Sequence, residues 1–189
     1  MSVETAIVRY QIDSAMGLFK VKAFASGLLS AVGHNPTIAV RDFSGEAGFV
    51  PGALDQAFVR VTARPDSFEV TDDISAKDKA DIESKMKQEV LESARFSEIG
   101  FESSSISATQ MGESLYIVKI TGDLSLHGAT HSQIISAQVT VAGDTVRGFG
   151  EFSLRQTDYG IKLVSVAGGT LKVKDEVKIS FDLTARKQA

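Results

Sequence analysis

The sequence predicts a mostly β, antiparallel barrel of about eight strands with one helix, in a single domain spanning residues 1–189. Three observations carry that reading. Apolar and polar residues alternate with a period of two in segment after segment, which gives each segment one oily and one wet face. Many half-buried strands indicate an antiparallel sheet, because parallel strands are covered on both faces. One stretch alone, Asp73 to Ala94, breaks the alternation and reads as helix.

The clearest strand runs from Glu176 to Ala185, where Val177, Ile179, Phe181 and Leu183 alternate with Lys178, Ser180, Asp182 and Thr184. A helix would scatter these residues around its circumference. Leu115 to Leu126 repeats the pattern, with Val118, Ile120, Gly122, Leu124 and Leu126 on one face. Ile135, Ala137, Val139 and Val141 do the same, as do Phe19, Val21 and Ala23, and Val59, Val61 and Ala63. Shorter stretches at Tyr10–Ile12, Ile38–Val40, Phe43–Phe49, Phe68–Val70, Ile99–Phe101 and Val146–Leu154 complete the set. Closing such a sheet hides its oily face and removes its edges. A two-layer sandwich hides the face equally well, and periodicity does not separate the two.

Asp73 to Ala94 is rich in Ala, Glu, Lys, Met and Gln and has no Gly or Pro. Ser75 and Asp78 are spaced as a capping box. Ile82, Met86 and Val90 recur every four residues, a narrow apolar stripe suited to packing on or across the end of a sheet.

Composition narrows the function. The formal net charge is −4, whereas nucleic-acid binders are more often basic. With no cysteine, disulfides, thiolate metal sites and cysteine nucleophiles are excluded. No apolar run reaches membrane-spanning length. The first residues carry no basic region followed by an apolar one, so the chain as written is expected in the cytoplasm, or in the periplasm if a leader was removed.

Few residues suggest chemistry. His127 and His131 flank Gly128-Ala-Thr130, and with His34 they offer a three-histidine set for zinc or copper. Register opposes this: matched pairing sets Leu126 opposite His131, leaves His127 in the loop and points the two rings apart. Ser103-Ser104-Ser105 lacks a G-x-S-x-G elbow and reads as strand face or loop. Gly148-x-Gly150 precedes a strand rather than a helix, so it serves a bulge or bend and not a dinucleotide. Arg155, Asp158 and Tyr159 cluster at a strand end as a structural corner, with Arg155 on carbonyls or paired to Asp158, or as the polar rim of a cavity.

The oily face is the remaining candidate. Phe19, Val21, Val59, Val61, Phe101, Val118 and Ile120 are expected to face one interior. Leu124, Leu126, Ile135, Val139, Phe152, Ile179 and Phe181 join them. Packed together they make a core; spaced apart they line a ligand cavity, which barrels of about eight strands can hold.

Several segments resemble the YceI-like family, in order, over about residues 9–186. Tyr10-Gln-Ile-Asp13 is similar to its opening strand, Phe43-Ser-Gly45 to its F-x-G segment, and Phe96–Phe101 with Glu-Ser-Ser104 to its F-x-x-I-x-F-x-S strand. Gly122-Asp-Leu-Ser-Leu-His-Gly-Ala-Thr130 resembles its G-D-L-T-L-H-G-V-T hairpin, and Arg155-Gln-Thr-Asp-Tyr-Gly-Ile161 its R-S-D-F-G-I corner. The resemblance implies an extended, lipocalin-like barrel. It implies a long apolar ligand in the lumen, such as a polyisoprenoid, isoprenoid quinone or fatty-acid-like lipid, with no other cofactor. Under it the hairpin and corner are chiefly structural. Ser30-Ala-Val-Gly33-His34-Asn-Pro36 departs from the common pattern, and many members are exported.

The leading expectation is therefore an apolar-ligand carrier without catalytic residues. A barrel enzyme using His34, His127 or Arg155, and a ligand-free interaction protein, are the alternatives. A homodimer through an edge or an outer residue such as Ile117 or Ile134 stays open.

Overall fold

The computed structural model describes residues 6–27, 35–51 and 53–188. Its strands are β1 (Val8–Ile12), β2 (Leu18–Lys22), β3 (Ala25–Ser26), β4 (Thr37–Val40), β5 (Phe43–Val50), β6 (Ala53–Ala63) and β7 (Phe68–Val70). Helix α1 (Ala76–Lys85) follows and runs into a π-helical turn, Met86–Val90. Then come β8 (Ile99–Gln110), β9 (Leu115–Leu126), β10 (Ala129–Ala142) and β11 (Thr145–Arg155). A 3-10 turn at Gln156–Tyr159 precedes β12 (Ser165–Val166), β13 (Leu171–Val173) and β14 (Glu176–Lys187).

The barrel is closed. Its ring runs β1-β5-β6-β8-β9-β10-β11-β14, and β14 returns to β1 through the pairs Tyr10–Lys187 and Ile12–Ala185. Three of the eight staves are broken in two. β14 pairs with β2 through Leu18–Asp182 to Lys22–Lys178 and with β1 further along, so β1 and β2 are one interrupted stave. Likewise β4 pairs with β2 while β5 pairs with β1, and β7 pairs with β4 while β6 pairs with β5. Closure, not a sandwich, thus buries the oily face. A separate three-stranded sheet, β12-β13-β3, sits beside the barrel.

The helix does a specific job. Among the described residues, β7 has β4 on one edge and no strand on the other, leaving backbone donors that require partners. Glu83 of α1 supplies one, accepting the Val70 amide at 2.8 Å. Val70 is fully buried beneath it, and Met86 and Leu91 pack into the same cluster with Phe68 and Ile38. Burial of each such side chain is worth about 1.5–3 kcal/mol. Ser75 caps the helix by accepting from Asp78 N at 3.0 Å, as its spacing predicts.

Two expectations change. The strand at Ile99–Phe101 continues to Gln110, through the serine run. A bulge between Ser103 and Ser105 shifts the register, so the inward residues switch from Ile99 and Phe101 to Ile106 and Ala108. That parity break hides the strand from an alternation test. The β9–β10 hairpin also has a tighter turn. Leu126 pairs with Ala129, and His131 pairs with Leu124 rather than Leu126. Only His127 and Gly128 lie in the turn, both at positive φ (52° and 77°), the conformation of a two-residue hairpin loop that twists with its strands. The expected parity, even residues inward on β9 and odd on β10, is kept.

A candidate ligand-binding lumen

Register places all fourteen predicted interior residues on one face. One row runs Val118–Ala137–Gly150–Phe181–Phe19 across β9, β10, β11, β14 and β2. Others link Val61–Phe101–Leu124, Ile120–Ile135 and Phe152–Ile179–Val21. Val59 lies opposite Ala47 on β5, and Val139 opposite Gly148 on β11.

These residues do not behave alike. Toward the helix end, Leu124, Leu126 and Ile179 are buried in a contiguous core with Met86, Leu91, Leu154, Tyr159 and Val177. Phe19, Val21, Val61, Phe101 and Phe152 pack against it, half-buried. Val118 and Ile135 are buried but stand outside that core. Val59, Ile120, Val139 and Phe181 face inward, remain half-buried and do not pack against the core either. These inward positions outside the contiguous core are the candidates for contact with a ligand. Small residues stand beside them: Ala108, Ala137 and Gly150 share the row of Val118.

Two inward glycines are required by close approach. A Cβ on Gly150 would stand 2.5 Å from the Ser136 carbonyl and 2.9 Å from the Phe181 ring. One on Gly122 would stand 2.5 Å from the Glu102 carbonyl and 2.6 Å from Phe101. Each glycine leaves room for a phenylalanine ring, so Gly148-x-Gly150 belongs to the barrel wall. Two hollows lie outside the lumen. One, about 640 Å³, is on the outer wall, lined mostly by outward residues including Leu18, Ile117 and Phe149. A smaller one of about 70 Å³ sits by β13 and is lined by Ala23, Phe24 and Leu171. Ile117 and Ile134 are 43% and 58% exposed.

The polar candidates resolve into a corner. Arg155 pairs with Asp175 at 3.0 Å, not with Asp158, because Asp175 stands at the start of β14 beside the strand end that carries Arg155. Asp175 also accepts from Thr157 N at 2.8 Å and Thr157 Oγ1 at 2.7 Å. These bonds, with Arg155, hold its carboxyl below the usual range. Asp158 is exposed. Tyr159 is 1% exposed, and its Oη accepts from Gln133 Nε2 at 2.8 Å. Burial pushes its phenol up, the Gln133 bond opposes this, and Asp158 adds to the rise.

The histidines separate by role. His131 stands edge-on to Tyr159, ring centroids 5.0 Å apart. His127 Nδ1 meets the Tyr159 carbonyl oxygen at 3.1 Å, and its Nε2 meets Glu92 at 2.6 Å. His34 lies outside the described residues. Among the described residues no group of three or more His, Cys, Asp or Glu side chains could hold a metal ion. Sequence reading missed Glu92, Gln133 and Asp175, whose partners are 35, 26 and 20 residues away; no local motif signals them.

A closed antiparallel barrel with a mainly apolar inner wall defines a lipocalin-like class. Within it, the chain belongs to the YceI-like domain family, which matches residues 10–185. It is similar to Burkholderia cenocepacia BcnA at 18% identity and a TM-score of 0.70, over 92% of this chain and 98% of that one. It is also similar to a polyisoprenoid binding domain from Saccharophagus degradans, at 14% identity and a TM-score of 0.67 over 95% and 98%. The Campylobacter jejuni YCEI protein matches at 12% identity and 0.61, over 80% and 85%. These likenesses bear on fold. No curated protein matches the chain in sequence. Among the described residues, no helix is long and apolar enough to cross a membrane.

Proposed function

We propose that the chain is a non-catalytic binding or carrier protein for a long apolar molecule held in the lumen, of the isoprenoid, isoprenoid quinone or fatty-acid-like kind. The observation that carries this reading is the accessible inner wall at Val59, Ile120, Val139 and Phe181. Membership of a family that includes a named polyisoprenoid binding domain agrees with it.

The energetics are sufficient. Transferring about ten methylenes from water supplies about 8 kcal/mol gross. Ordering and association take back several of these, and a longer chain replaces them. Micromolar affinity, about −8 kcal/mol, then needs no charged anchor. Such a ligand is selected by length and width more than by its head.

Native mass spectrometry of freshly purified protein, with organic extraction and lipid analysis, tests this. A co-purifying apolar species at defined stoichiometry is expected. A protein that is empty and takes up neither isoprenoid nor quinone overturns the reading.

A further inference from the structure

The cations of this chain divide by residue type. Every arginine of the sequence is in an ion pair. Lys77, Lys79, Lys85, Lys178 and Lys187 are paired as well. Among the described residues, Lys20, Lys22, Lys87, Lys119, Lys162, Lys172 and Lys174 have no acidic partner within ion-pair distance. Most of these gather in one place.

That place is a two-armed ribbon, with β2 and β3 running antiparallel to β14 and β13. Lys20 lies opposite Ser180, and Lys22 lies opposite Lys178. Further along, Lys174 N donates to the Phe24 carbonyl at 2.8 Å, and Lys172 lies opposite Ser26. Val21, Ile179 and Val173 hold the alternate positions and pack in or against the core, so the lysines turn outward. Lys22, Lys172 and Lys174 are exposed, and Lys20 is half-buried. Val173 N donates to the Val164 carbonyl at 3.0 Å, which brings Leu163, 40% exposed, beside Lys174. Lys162 is exposed next to Leu163 in the chain.

Nearby acids do not cancel the set. Glu151 pairs with Lys178 and Asp175 with Arg155, while Asp72 accepts the Thr37 amide across from Lys22. Glu176 and Asp158 are exposed, and both lie by Arg155.

The residue types select the partner. Arginine's planar fork suits bidentate contact with a single phosphate or base edge, and here the one arginine beside the ribbon is held by Asp175. A lysine ammonium is a compact, hydrated point charge on a flexible stem, suited to a diffuse negative surface. Leu163 adds an apolar contact that a bilayer interface can take up and a phosphate backbone cannot. We propose that the outward face of this ribbon, through Lys20, Lys22, Lys172 and Lys174 with Leu163, docks the protein on the surface of an anionic lipid bilayer. Each lysine held near an anionic leaflet strengthens binding by about fivefold. The whole chain carries a net charge of −4, so placement rather than total charge makes this face attractive. The face stands on the outer surface and does not depend on a ligand in the lumen.

Co-sedimentation of the whole chain, with no lumen ligand added, reads the docking directly. The vesicles are phosphatidylcholine alone, or phosphatidylcholine mixed equally with phosphatidylglycerol. Binding to the mixed vesicles alone is expected. It should fall steeply with salt, because the screening length shrinks from about 10 Å at 0.1 M to about 3 Å at 1 M. Lys172→Glu combined with Lys174→Glu should weaken binding by about 25-fold or more. Lys87→Glu combined with Lys119→Glu changes the net charge equally away from the ribbon and should stay within about twofold of wild type. Leu163→Ser should weaken binding without altering its salt dependence. Circular dichroism checks that each variant is folded; if the Lys172 and Lys174 variant is not, Lys20→Glu combined with Lys22→Glu takes the same test. Equal loss in the ribbon and control variants overturns the proposal, as does equal binding, or none, to the two kinds of vesicle. Tighter binding to duplex DNA than to the mixed vesicles at the same salt also overturns it and gives the face to nucleic acid.

Discussion

Gln133 reaches from the inner face of β10 and donates from Nε2 to Tyr159 Oη at 2.8 Å, pinning the corner after β11 to a strand it does not pair with. β10 and β11 pair only from Ser136–Glu151 to Ala142–Thr145, so below Ser136 the two strands part. Tyr159, 1% exposed, joins the core there, and His131 covers one edge of its ring.

Replacing Tyr159 with Phe keeps the ring and removes the hydroxyl. The Gln133 amide then loses its acceptor, at a cost of about 0.5–1.5 kcal/mol. Tyr159→Ala removes the filling as well and should cost about 3–5 kcal/mol. Urea unfolding monitored by circular dichroism separates the two. The phenol also predicts an alkaline limit. Its folded value is raised, chiefly by burial, so its contribution is complete below the unfolded tyrosine value of about 10. That contribution is lost as pH rises from there through the folded value, and Tyr159→Phe should lose the alkaline slope.

The Asp175 corner gives the opposite dependence. Its carboxylate is lowered by the Thr157 backbone and hydroxyl bonds and by Arg155. The contribution is therefore complete above the ordinary aspartate range and lost as pH falls through the lower folded value. Asp175→Asn should be less stable than wild type at neutral pH and indistinguishable from it in strong acid. Thermal unfolding at several pH values measures the gap; a gap of constant size would refute the assignment.

Legibility in the sequence followed the range of the physics. Strands such as Leu115–Leu126 declare themselves because alternation is local, and Ser75 because a cap is. The β8 bulge erased the signal for the second half of that strand although Ile106 and Ala108 face inward. Which residues share the inward face was legible from alternation, but which of them join the contiguous core depends on what crosses the barrel. Local spacing offers Arg155 nearby carbonyls or Asp158, three residues away, whereas its partner Asp175 lies twenty residues on. The Glu92–His127 bond is invisible for the same reason.

Glycine positions give a paired test of the wall. Gly122→Ala forces a Cβ against the Glu102 carbonyl and Ser103 Cα, which are backbone and cannot swing aside. It should cost about 1–3 kcal/mol. Gly100→Ala on β8 meets nothing within 4 Å and has an ordinary φ. It should be neutral or gain up to about 1 kcal/mol by restricting the unfolded chain. Equal costs at the two sites would show that close approach does not govern Gly122.

Filling the lumen distinguishes a cavity from a core. Ile120 faces inward, is half-buried and lies outside the contiguous core, whereas Leu124, four residues on along β9, lies within it. Adding ring volume at a packed position costs about 1–3 kcal/mol through strain. Adding it beside free space costs little and takes up the room a ligand would use. Ile120→Phe should therefore keep wild-type stability and weaken uptake of an apolar probe by about tenfold, while Leu124→Phe should destabilise the barrel. Lys119, the neighbour of Ile120, points outward, and Lys119→Glu should leave uptake unchanged. Fluorescent fatty-acid titration beside urea unfolding reads both quantities on the same samples. If Ile120→Phe loses stability as Leu124→Phe does, the middle of the barrel is filled and its ligand must sit elsewhere.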